Sequence, residues 1–166
     1  MPEKKSCYIA LTCYLLALAI LLLDQFTKFA VASTLELGQS TVVIDQLFYL
    51  THVRNLGAAF SLFWGNSGIL SIFSLAVVLG VIVYQWLKQP DDILIVLSMG
   101  FLMGGASGNL IDRFFFGFVR DMFDLRWAGN NIWPIFNVAD MAVLAGVGLI
   151  LLHSHFHPEE EKEAVI

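Results

Sequence analysis

Carboxylates and amides recur in this chain where apolar runs give way to polar connectors. The stretch FNVADMAVLAGVGLILL, 136–152, puts Asp140 at the mouth of an apolar run, three residues after Asn137. Two readings fit that pair. Asn is a favoured N-cap residue, and an acid at the third helical position can reach back as in a capping box and favours the helix dipole. Alternatively the carboxylate is used. Ionisable groups in spanning segments cost about 2.5–3.5 kcal/mol each on insertion scales and typically mark sites or pathways. Three further sets stand at comparable positions. DQFTK places Asp24 and Lys28 at i and i+4. GGASGNLIDR places Asn109, Asp112 and Arg113 at i, i+3 and i+4, and FVRDMFD carries Asp121 and Asp124. On a helix each of the first two sets shares a face. An interfacial ion pair with Lys28 snorkelling accounts for the first set. A polar staple, with Arg113 able to grip a carboxylate through two N–H groups, accounts for the second. Ordinary solvation accounts for the third.

Gathered in one place, these groups can do acid–base chemistry. Two carboxylates within hydrogen-bond reach do not readily both ionise, so the pair holds an acid and a base at once. The base takes a proton from water, and the acid protonates a carbonyl or a leaving amine. Such a pair titrates as a unit and hydrolyses a peptide bond with no metal and no covalent intermediate, so no cofactor is expected. The chain has no G-x-S-x-G, no paired Cys and His, and no HExxH. Cys7 and Cys13 lack metal-binding or redox spacing and read as small apolar wall residues. His52 reads as a structural donor in a strand. His153, His155 and His157 can ligate a metal in an extended segment, but a solvated end to the last helix is the simpler reading. No metal ligand is assigned.

These groups need elements to position them. Of the 166 residues, 58% are hydrophobic and 14% charged, against about 45–50% and ~25% in soluble domains. That balance indicates a membrane protein. The net charge of −5 owes much to the tail HPEEEKE, and no basic cluster suggests nucleic acid. Lys4 and Lys5 before an apolar run, with Ala30-Val31-Ala32 behind it, resemble a signal peptide. The length of the run, and the charges of Asp24 and Lys28, favour a retained helix. Crossing the bilayer takes roughly 20 helical residues. Four segments qualify, at about 8–32, 67–87, 93–111 and 137–153, with a tight polar turn at 88–92. The connector 35–66 contains STVVI and the alternating FYLTHVR, which read as strand. A turn at 55–57 follows, then AAFSLFWG as a short helix lying on the membrane. The connector 112–133 holds aromatics, three Arg and three Asp. The expected fold is an all-α membrane protein: four transmembrane helices with a small extramembrane β-rich cradle and a short amphipathic helix, forming a single integral membrane domain over 1–166. Gly100, Gly104 and Gly108 form a small-residue ridge for close helix packing. Both long connectors fall on one side and both termini on the other. Lys and Arg counts do not decide which side is outside.

The motifs DQFTK, HVRNLGAAFS, GGASGNLIDR, FVRDMFD and FNVAD, in this order, resemble those of bacterial lipoprotein signal peptidases, also called signal peptidase II. The resemblance implies an aspartyl endopeptidase of the bacterial cytoplasmic (inner) membrane. Such enzymes cut prolipoproteins just before a Cys that carries diacylglycerol. It implies that Asp121 and Asp140 form the dyad, with Asp112 a competing choice that spacing alone does not exclude. Asp24, Lys28, Asn55, Gly57, Asn109, Asp112, Arg113 and Asn137 match the family's further polar positions. The connector side is then periplasmic and both termini cytoplasmic. The partners are diacylglyceryl-prolipoprotein substrates and membrane lipids, and the protein is a monomer. One departure is Ser107, where the motif commonly reads GGALGN. A small proton-coupled transporter and a structural membrane adaptor are the alternatives. A transporter predicts charges spread through the bilayer depth, whereas the central turns of the second and fourth helices carry none.

Overall fold

The computed structural model describes residues 2–57 and 67–157, with side chains of the first helix described from residue 9. In chain order the elements are α1 (Pro2–Thr34), β1 (Ser40–Ile44), β2 (Phe48–Asn55), α2 (Ser67–Lys88), α3 (Ile93–Phe116), β3 (Val119–Trp127), β4 (Asn130–Asn131) and α4 (Val138–Phe156). Among the described residues, four helices are long and apolar enough to cross a membrane. Their outer faces leave Leu22, Phe26, Ile72, Trp86, Leu144 and Leu151 exposed. Helices satisfy their own backbone groups, so such apolar surface suits hydrocarbon. The expected short helix at 58–65 and the tail beyond His157 lie outside the described residues.

The central helix is α3, which packs against α1, α2 and α4. Glycine makes this possible by close approach. A Cβ on Gly104 would stand 2.8 Å from the Ala17 carbonyl oxygen of α1, and one on Gly108 would strike the Asp24 carboxylate. The expected ridge therefore faces α1. Gly105 gives α3 a second close face, toward Ala139 and Val143 of α4. Cys13 is fully buried beside Ala17, Val96 and Met99 in the apolar core. The Cys7 side chain is outside the described residues.

Helix ends follow local signals. Asp92 caps α3, its Oδ1 accepting from the N–H groups of Leu94 at 2.8 Å and Ile95 at 3.1 Å. At the far end Gly117 adopts φ 78° and donates its N–H to the Arg113 carbonyl, a left-handed cap that suits glycine. The helix thus runs past the expected end at 111, and Asp112 and Arg113 belong to its last turns rather than to a connector.

The four strands form one antiparallel sheet in the order β1-β2-β3-β4. The second connector supplies β3, which local alternation does not announce. Asp121 and Asp124 are three residues apart and would face opposite sides of a regular strand, yet both are buried. The irregularity lies in the β2–β3 pairing. Leu50 stands opposite Phe123 and Val53 opposite Asp121, so β2 carries an extra residue there. A bulge of this kind re-aims side chains of the strand that carries it, here β2, while the two β3 acids are each buried against partners of their own. Within the first connector His52 Nδ1 lies 3.0 Å from the Leu35 carbonyl oxygen, the structural role expected of it.

Candidate active site

The polar groups meet where α1, α3 and α4 reach the sheet. Asp24 and Lys28 lie one turn apart on α1, and both are fully buried. Lys28 does not snorkel. Its Nζ sits 2.8 Å from Asp24 Oδ2 and 3.6 Å from Asp112 Oδ2, and donates to Asn109 Oδ1 at 3.0 Å. A buried charge is costly unless it is paired and hydrogen-bonded, and these partners meet that need. Asp24 Oδ1 accepts from the backbone N–H of Ala139 at 2.9 Å. Ala139 lies in the first turn of α4, where donors lack intrahelical partners. One carboxylate thus joins α1 to the start of α4.

Asp112 is also fully buried. Arg120 of β3 grips it through Nε at 3.1 Å, Nη2 at 2.7 Å and its backbone N–H at 2.9 Å. Gln25 accepts from Arg120 Nη2 at 3.0 Å, and its Nε2 lies 3.1 Å from Asp112 Oδ1. The Arg120 guanidinium also lies 4.6 Å from the Phe116 ring centre. The bidentate clasp expected of Arg113 is made by Arg120 instead. Arg113 points elsewhere, with Nη2 3.5 Å from the Gly57 carbonyl oxygen, and it closes no ion pair among the described residues.

Two acids remain, held by amides. Asp121 of β3 accepts from Asn137 Nδ2 at 2.6 Å and from Asn55 Nδ2 at 2.8 Å. Asn55 is itself oriented by the Gly57 N–H, which donates to its Oδ1 at 2.9 Å. Asp140 of α4 accepts from Asn109 Nδ2 at 2.8 Å and from the Asn137 backbone N–H at 3.2 Å. Asn137 therefore donates to both carboxyls, from its side chain to one and from its backbone to the other. Asn109 Oδ1 also accepts from Asn137 Nδ2 at 3.2 Å, which joins the two amides. A cavity of about 440 Å³ opens on this group, with Asn55, Asn109, Arg113 and Asp140 as its polar lining and Trp133, Phe136 and Leu144 among its apolar walls. Burial pushes the Asp121 carboxyl up to about 7, and the neighbouring Asp140 charge pushes the same way. The donors Asn55 and Asn137 pull in the other direction without prevailing. A carboxyl titrating there can hold a proton at neutral pH beside a second acid.

The sequence profile described as Signal peptidase (SPase) II matches residues 16–156. The chain belongs to the signal peptidase II family. Among its relatives is a lipoprotein signal peptidase of Bacillus velezensis, 39% identical over 150 residues, covering 90% of this chain and 97% of the relative. Another, from Syntrophomonas wolfei, is 42% identical over 135 residues, covering 81% of this chain and 86% of the relative. A solved bacterial membrane enzyme superposes with a TM-score of 0.82 at 30% identity, covering 92% of each chain. A second gives 0.76 at 31% identity, over 86% of this chain and 91% of that one. As a signal peptidase II family member with four spanning helices, this is a multi-pass membrane protease.

In this signal peptidase II fold the ten residues singled out from sequence fall in one connected network, from Asp24 and Lys28 through Asn109 to Asp140, Asn137, Asp121, Asn55 and Gly57, with Asp112 beside Lys28 and Arg113 beside Gly57. Sequence reasoning missed Arg120 and Gln25, which hold Asp112. Only the adjacency of Gln25 to Asp24, and of Arg120 to Asp121, hinted at them. Asp124 is not solvated as a loop acid. It is fully buried, accepting from Thr51 Oγ1 at 2.7 Å, Arg126 Nε at 2.8 Å and Asn131 Nδ2 at 2.7 Å. It fastens β2, β3 and β4 together.

Proposed function

We propose that this membrane protease removes the signal peptide from diacylglyceryl-modified prolipoproteins, cutting just before the lipid-bearing Cys, with Asp121 and Asp140 as its acid–base pair. The observation that carries this reading is the double role of Asn137, which donates to both acids, one of which, Asp140, lines a largely apolar cavity. In the resting pair one carboxyl holds a proton and the other does not. The ionised acid takes a proton from a water, whose oxygen attacks the scissile carbonyl carbon. The protonated acid gives its proton to the carbonyl oxygen. The tetrahedral intermediate then collapses, the C–N bond breaks, and a proton passes to the leaving amine, giving one new carboxyl and one new amine. Arg113, which lines the cavity and lies 3.5 Å from the Gly57 carbonyl oxygen, orients a substrate carbonyl. Asp112 is the structural counter-ion of Arg120 and Lys28.

The substrate chemistry fits the location. A Cys carrying two acyl chains stays at the bilayer interface, and the site lies where spanning helices end. On this reading the sheet side faces the periplasm, both termini are cytoplasmic, and the chain acts as a monomer within one integral domain. Incubation of the purified protein with a diacylglyceryl-modified prolipoprotein tests the function. A shorter, lipid-bearing product is expected. An unchanged prolipoprotein would contradict it and leave a transporter or adaptor role.

A further inference from the structure

At the end of the bundle away from this site, Asp92, His153 and His157 face one another across the α3–α4 packing. One potential ligand atom from each lies within 4.8 Å of the other two. We propose that these three side chains form a binding site for a divalent transition-metal ion, best matched by Zn²⁺.

The arrangement depends on α4 staying helical to Phe156. An extended end would align His153, His155 and His157 on one side. The helix instead sets His153 and His157 at i and i+4, a spacing that puts two imidazoles on one face and suits zinc. Their rings stack at 4.5 Å and 20°, while the exposed His155 turns toward Phe156. Asp92 supplies the third ligand from the neighbouring helix. Its Oδ1 is committed to capping α3, and its Oδ2 lies 3.8 Å from His153 Nε2. The supporting hydrogen bond of a metal-bound imidazole is also in place, since His157 Nδ1 lies 3.1 Å from the His153 carbonyl oxygen. A proton on that nitrogen leaves Nε2 free to ligate, and such second contacts fix tautomer and ring orientation. Two imidazoles and one carboxylate form a borderline donor set favouring Zn²⁺, Co²⁺, Ni²⁺ or Cu²⁺ over Mg²⁺ or Ca²⁺. Tetrahedral zinc with bonds of about 2.0–2.1 Å needs ligand atoms about 3.4 Å apart, a distance that side-chain rotation of partly exposed residues reaches. A bound ion would tie the last turn of α4 to the first turn of α3. Thirteen residues, about 20 Å of helix, separate His153 from Asp140, so this ion takes no part in peptide cleavage.

The test uses the full chain in detergent, purified through a tag that contains no histidine, with Co²⁺ as optical probe and Zn²⁺ as competitor. Wild-type protein and His155→Gln should each bind one Co²⁺ saturably, displaced by Zn²⁺, with no thiolate charge-transfer band. His153→Gln and His157→Gln should weaken binding about tenfold or more, in the range typical of damage to metal shells. Asp92→Asn should weaken it too while still capping α3, since Asn is as good a cap. Circular dichroism checks that each variant is folded. Absence of saturable Co²⁺ binding in the wild type would overturn the proposal. So would a loss in His155→Gln equal to that in His153→Gln, or a thiolate band.

Discussion

Asn137 and Asp140 exchange hydrogen bonds: the Asp140 N–H donates to Asn137 Oδ1 at 2.8 Å, and the Asn137 N–H donates to Asp140 Oδ2 at 3.2 Å. This is a complete capping box, so the plain structural reading of the FNVAD motif holds. It does not compete with a role in chemistry. The box uses Oδ2 of Asp140, leaving Oδ1 to Asn109, and uses Oδ1 of Asn137, leaving Nδ2 to Asp121. The helix start that satisfies the local backbone is the same device that fixes both acids.

Asn137→Ala should therefore cost more activity than stability. Loss of the cap destabilises by about 1 kcal/mol. Loss of a donor to a charged group is worth about 1.5–3 kcal/mol, or roughly 10–150-fold in cleavage rate if felt in the transition state. Melting in detergent and initial rates on a lipid-modified substrate measure the two separately. Equal activity per folded molecule would show that Asn137 only caps.

The raised Asp121 carboxyl sets a pH dependence with a definite sign. The unfolded chain releases this proton near its ordinary value of about 3.9, and the folded chain near 7. Between those values the folded state binds more protons, so the stability that this group contributes is full below about pH 4 and is lost as pH rises toward 7. Cleavage should likewise decline above about pH 7, as the pair gives up its shared proton. Asp121→Asn should flatten the stability slope between pH 4 and 7. An unchanged slope in that variant would place the titrating group elsewhere.

Asp112→Asn should act chiefly through folding. Removing one partner of a buried, hydrogen-bonded ion pair typically costs about 3–5 kcal/mol, and here it strips Arg120 of its clasp and Lys28 of a neighbour. The expectation is a lower melting temperature, with cleavage per folded molecule falling far less than in dyad variants. A fully folded, inactive Asp112→Asn would return Asp112 to contention as a catalytic acid.

Gly108→Ala should also lose stability, because a Cβ there meets the Asp24 carboxylate and Ala139. Overpacking commonly costs about 1–3 kcal/mol. Gly148→Ala, where a Cβ meets nothing within 4 Å, is the control and should melt at or slightly above the wild-type temperature, since Ala is the better helix former. Equal melting of the two variants would argue against the tight α1–α3 contact.

Apolar length and i, i+4 spacing are local properties, so the four spans, the Asp24–Lys28 pair and the Gly ridge were legible in the sequence. The partner of Asp112 was not. Choosing between Arg113 and Arg120 depends on where β3 folds back against α3, and that follows from pairing with β2, some 70 residues earlier in the chain, as with Val53 opposite Asp121. The burial of Asp124 was hidden for the same reason. Period-two reasoning assigns Asp121 and Asp124 to different faces of β3, yet both are buried because each meets its own partners, Asn55 and Asn137 for Asp121 and Thr51, Arg126 and Asn131 for Asp124. The motif resemblance, rather than spacing, singled out Asp121 and Asp140 from five acids at similar depth.

The most direct test compares cleavage of a diacylglyceryl-modified prolipoprotein by Asp121→Asn, Asp140→Asn and Asp124→Asn at matched amounts of folded protein. Acid–base groups typically contribute about 10²–10⁴-fold. Each of the first two variants should lose at least that much while remaining inserted and folded, and Asp124→Asn should retain most of its turnover once its weaker sheet is allowed for. Wild-type rates from either Asp121→Asn or Asp140→Asn would contradict the shared-proton pair.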